Sequence, residues 1–218
     1  MTLDTLPVQT FEDSISNFLP QMKPDMCYSA CILNIVNELG DRRSISNMKY
    51  TLSEMNRLCG YKEGFQCKEE IVPAVLSDEL EKFEYRYVRN YGSENDLNKL
   101  VTIITDDNLS YPIISVSSRY FDEIGFRNVG VNKLNHSLVV FGINHEIIYY
   151  YDPYEKYLEK SSYYTYKPRT IDKIILESIW DEAYYSRCTE WIEPLNYKQE
   201  RLYSERFITN NTSEGVAR

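Results

Sequence analysis

The apolar pattern of this 218-residue chain changes period near its middle, and that change limits the folds open to it. In the first half the spacing is mostly helical. Cys27, Ala30, Cys31, Leu33 and Ile35 recur near a period of about 3.6, which predicts a helix over 26–39 that Gly40 stops. Thr51-Leu52-Ser53-Glu54 is a capping box for a short second helix that ends at Cys59-Gly60. Residues 68–80 read as a third helix whose boundaries Pro73 blurs. A strand over 83–89 and a helix near 94–106 follow. The second half turns to strands, over 112–117, 135–143 and 146–151, before a helix near 170–181 and a last strand around 187–193. Helices first and strands later indicate an α+β fold, with an amino-terminal helical half packed on a carboxy-terminal antiparallel sheet. One domain is expected over 1–195. Residues 1–20 form a loose entry strand and turn, and 196–218 a polar, mobile tail.

Charge narrows the partners. The formal net charge is −9 and the pI about 4.9, which argues against nucleic acid or an anionic membrane surface as the main partner. A basic peptide or protein fits better. No apolar run approaches the roughly 20 residues of a membrane helix, and Met1-Thr-Leu-Asp-Thr5 has no secretory-signal character. Five cysteines without a signal read as reduced cytoplasmic thiols, not a disulfide framework.

Within that frame Cys27 stands out. The Pro24-Asp25 turn delivers it to the start of the first predicted helix, with Asp25 as the expected cap. The thiolate is the nucleophilic form of cysteine, and a helix amino terminus and a neighbouring imidazolium both favour it. An isolated cysteine on a helix is more often a small buried hydrophobe. Cys31, Cys59, Cys67 and Cys188 receive that reading, with Cys31 packed just beneath Cys27.

His136 opens an apolar strand, and Asp152-Pro153 closes the strand after it. If the intervening turn is the three residues Asn144 to Glu146, Leu138 opposes Asp152 and His136 becomes Asp152's diagonal neighbour on one face. A turn of two residues would set them on opposite faces. On the first register Asp152 can accept a hydrogen bond from one ring nitrogen, leaving the other for the thiol. His145, at the hairpin tip, is assigned to solvent. Gln21, six residues before Cys27, can offer its amide to a tetrahedral oxyanion beside the Cys27 backbone N–H.

The set Gln21-x5-Cys27-Tyr28-Ser29-Ala30, Tyr111-Pro112-Ile113-Ile114-Ser115-Val116, Asn135-His136-Ser137-Leu138 and Tyr151-Asp152-Pro153 resembles the double-glycine leader (bacteriocin-processing) peptidase-like group of the papain-like cysteine peptidase superfamily. The closing Ile175–Trp180 helix and the strand after it extend the likeness over about residues 10–195. The resemblance implies a papain-like fold. It implies Cys27 as nucleophile, His136 as base, Asp152 as its orienter and Gln21 as oxyanion donor, with no metal or organic cofactor. Members of that group usually carry Asp-Cys-Gly at the nucleophile, where this chain has Met26-Cys27-Tyr28. Tyr28 therefore narrows the space beside the thiol.

Tyr28, Asn135 and Tyr154 are the expected substrate contacts. Tyr154 belongs to a tyrosine-rich stretch over 149–166 that suits an extended peptide, covers the sheet, or leaves room for a homodimer. The expected activity is cleavage of a peptide or amide bond through a Cys27 thioester. Acyl transfer to an amine uses the same residues. A non-catalytic interaction module would keep them as vestiges. A zinc site of Cys27, Cys31, His136 and His145 lacks a Cys-x2-Cys knuckle and ranks lowest.

Overall fold

The computed structural model describes residues 18–20, 26–61, 70–117, 135–144, 146–153 and 169–197. The entry segment 1–17, Cys67 and most of the expected tail lie outside these. Of the tail's first residues, Tyr197 is tied in by its hydroxyl, which donates to Asp106 Oδ2 at 2.7 Å.

The first helix, α1 (Cys27–Arg42), starts one residue inside its predicted span and runs beyond Gly40. Gly40 is buried within the helix, and a Cβ there would lie 2.5 Å from the Met48 carbonyl oxygen. The glycine is thus required because the chain folds back onto α1, and the Gly40 carbonyl accepts from Ile45 N at 2.8 Å. α2 (Leu52–Leu58) begins at the capping box read from the sequence. Thr51 Oγ1 accepts from Glu54 N, and the Glu54 carboxylate accepts from Thr51 N at 2.7 Å. α3 (Val72–Leu80) carries Pro73 in its first turn, where a missing N–H leaves no intrahelical bond unmade.

The strands are β1 (Tyr85–Asn90), β2 (Ile113–Ser117), β3 (Asn135–Asn144), β4 (Ile147–Tyr151), β5 (Arg169–Asp172) and β6 (Thr189–Pro194). The helices between them are α4 (Leu97–Ile104) and α5 (Lys173–Asp181). Residues 170–172, expected as the start of the last helix, belong instead to β5 and pair with β4. Asp172 then ends the strand and caps α5, its Oδ1 accepting from Ile174 N at 2.8 Å.

All described pairings are antiparallel, in the order β1-β6-β2-β3-β4-β5. This revises the picture of a helical half laid on a separate sheet half. β1 comes from the helical half and pairs with β6, the last of the described strands. Helices also cover both faces. Residues of α1, α2 and α3 pack with Ile113, Val139, Tyr151 and Ile192 in one cluster. Residues of α4 and α5 pack with Ile114, Leu138, Val140 and Ile148 in the other. The alternation of neighbouring residues between the two clusters is the period of two along each strand. The α+β class holds, in three layers.

Candidate active site

Cys27 is the first residue of α1 and is half-buried. The helix cap is Met26, with no side-chain capping bond, so the cap is not Asp25, which lies outside the described residues. No acidic residue sits in the first turn. The positive end of the α1 dipole is therefore left uncompensated by its own helix where the thiol sits.

His136 and Asp152 meet, by a route different from the expected one. The hairpin turn is tighter than three residues, because Asn144 pairs with Ile147 and Ile143 with Ile148. A tight turn alone would put His136 and Asp152 on opposite faces. The register shifts between Val140 and Gly142, so Val140 pairs with Tyr150 and Val139 with Tyr151. This bulge at Phe141 restores the parity, and the next pair along the ladder is Leu138 with Asp152. His136 Nε2 lies 2.7 Å from Asp152 Oδ1, and both side chains are buried.

Cys27 acts on the same ring, and its thiol is among the groups that raise the His136 pKa. With Nε2 taken by Asp152, Nδ1 is the nitrogen left for the thiol. Burial works against a charged ring. The Asp152 charge and hydrogen bond outweigh it, with help from Cys27, and raise the His136 pKa to about 10. The imidazole is therefore cationic at neutral pH. Sulfur, imidazole and carboxylate thus stand in one contiguous chain. No protein-family model matches the sequence, and no curated protein does.

The chemistry of this trio is proton traffic between a thiol and a carboxylate-oriented imidazole. Arg169, at the start of β5, places Nη1 3.9 Å from Asp152 Oδ2 and adds positive charge on the carboxylate's far side. Arg169 has no local signal in the sequence, because its four-residue strand is defined by pairing with β4. Cys31 lies where expected, one turn beneath Cys27. Its thiol donates to the Ser137 carbonyl at 3.3 Å, and burial pushes its pKa well up. Among the described residues no group of three or more His, Cys, Asp or Glu side chains could hold a metal ion.

Gln21, Tyr154 and His145 lie outside the described residues. The other two expected substrate contacts both have partners within the chain. Asn135 uses its side-chain oxygen to accept from Tyr184 N at 2.7 Å, which fastens the segment after α5 to the start of β3. Tyr28 is buried rather than open beside the thiol.

Tyr28 instead anchors α1. Its hydroxyl donates to Glu190 Oε2 at 2.5 Å and accepts from Arg89 Nη2 at 2.6 Å. Tyr87 also donates to Glu190 Oε2, at 2.7 Å, and Arg89 Nε lies 3.0 Å from the same oxygen. Glu190 and the Arg89 side chain are both buried. A buried ion pair of this kind is retained only with its hydrogen bonds filled, and the two tyrosines supply them. The residue adjacent to Cys27 is thus fixed to β1 and β6 at once.

Proposed function

We propose that the protein is a papain-like thiol hydrolase that cleaves a peptide or amide bond through a Cys27 thioester. One observation carries the reading: a buried imidazole bound by a carboxylate, whose charge is further favoured by a half-buried thiol at a helix start. The chain order of cysteine, histidine and aspartate, and the likeness to leader-peptidase-like enzymes drawn from the sequence, support it further.

In this mechanism the Cys27 proton already rests on His136, so the nucleophile is a thiolate–imidazolium pair that Asp152 orients. The thiolate attacks the carbonyl carbon, a C–S bond forms, and the carbonyl electron pair moves onto oxygen. The Cys27 backbone N–H and, from its place six residues upstream, the Gln21 amide receive that oxyanion; one such donor is worth about 2.7–4 kcal/mol. As the intermediate collapses, the C–N bond breaks and His136 delivers its proton to the leaving amine. Water, deprotonated by His136, then adds to the thioester carbonyl, the C–S bond breaks with its electron pair on sulfur, and the acid leaves with the thiolate–imidazolium pair restored. A basic peptide suits the acidic chain as substrate.

The test is iodoacetamide labelling with mapping of the modified residue, followed by a peptide library. Cys27 should carry the label, and Cys27→Ala should lose both label and turnover while its thermal unfolding stays cooperative. Turnover that survives Cys27→Ala would overturn the proposal. Conjugates formed with added amines would redirect it to acyl transfer. An unreactive Cys27 in a folded protein would leave an interaction module.

A further inference from the structure

A cavity of about 1000 Å3 opens between β1, β6 and α4, with no residue of the Cys27–His136–Asp152 trio in its wall. That volume is at the upper end of the range of small-molecule sites. Its floor is apolar: Ile103, Leu109 and Trp191 form a small buried cluster of their own, with Val88 packed against it. Tyr91, which is exposed, and Tyr185 also line it, their ring centroids 5.7 Å apart.

The charges in the wall are unequal. Of the two lining carboxylates, Glu193 is held by Arg86, whose Nε donates at 2.9 Å, and by Trp191 Nε1 at 2.9 Å; Glu70 is solvent-exposed. Arg89 is engaged by Glu190. Lys99 differs from both arginines. Among the described residues its ammonium makes no ion pair and lies over the Trp191 ring, 5.1 Å from the centroid. A cation over an indole in a partly desolvated wall gains more from an anion than from the ring alone.

We propose that this cavity binds a small aromatic anion, with its ring against Trp191, Tyr91 and Tyr185 and its anionic group on Lys99. The aromatic walls supply stacking area, the apolar floor excludes water, and the lysine selects charge. The site is independent of the thiol chemistry, so its occupancy does not depend on Cys27.

The experiment uses anilinonaphthalene sulfonate as the anion and phenylnaphthylamine, the same ring system without the sulfonate, as the neutral control. Calorimetry should give one sulfonate per chain, and the neutral control should bind more weakly. Lys99→Met should weaken the sulfonate at least about tenfold, the loss of one charge-assisted contact. Lys99→Arg should restore it, and Cys27→Ala should bind as the parent does. Far-ultraviolet circular dichroism of Lys99→Met checks that the fold is kept. Equal affinity in a folded Lys99→Met, equal affinity for the neutral control, or several sulfonates per chain would each overturn the proposal.

Discussion

His136 is a buried ring that carries charge only because its neighbours demand it. Burial alone would keep it neutral, and the Asp152 charge and hydrogen bond reverse that preference. The folded pKa of about 10 stands above the ordinary histidine value near 6.5. Stabilisation from this charge is therefore complete below about pH 6.5 and is lost as pH climbs through about 10. Asp152→Asn removes the cause and leaves the burial, so the ring should fall to a pKa beneath the usual histidine range. Cys27 alkylation at neutral pH should then slow by on the order of 100-fold. A pH–rate profile of iodoacetamide labelling reads this directly, and a profile identical to the parent's would remove Asp152 from its orienting role.

Single elements are held by contacts that join distant parts of the chain, and α1 is the clearest case. Tyr28 sits at its start and reaches Glu190 on β6 and Arg89 on β1. Glu190→Gln leaves Arg89 as a buried cation without its counter-charge, which should cost about 3–5 kcal/mol in urea unfolding. Labelling of Cys27 should slow at the same time, because the helix that carries it loses its tether. A variant as stable as the parent would contradict the pairing. Such contacts also explain what could and could not be read from the sequence. The capping box of α2, the start of α1 and the spans of β2, β3 and β4 are local patterns, and they were legible. β5 is a four-residue strand whose partner is β4, so its residues passed for the start of a helix. Asp152 was placed opposite Leu138 through a three-residue turn, but the chain reaches that register through a tight turn and a bulge whose effects on parity cancel. The anchoring of Tyr28 is not legible locally, because its partner lies 162 residues away, beyond any local pattern.

Across the whole molecule, the net charge of −9 favours the approach of cationic molecules over anionic ones. If the substrate is a basic peptide, kcat/KM for it should exceed that for an acidic peptide of equal length and fall as salt is raised from about 0.05 to 0.5 M. Stopped-flow cleavage assays at graded ionic strength check this, and salt-independent rates would discard charge as the source of selectivity. The strand order has a consequence of its own. β6, the last of the described strands, lies between β1 and β2, so the sheet stays open down its length until residue 194 has left the ribosome. Only then does Glu190 arrive to grip the tyrosine beside the thiol, and a half-made chain carries Cys27 on a helix that nothing yet aims.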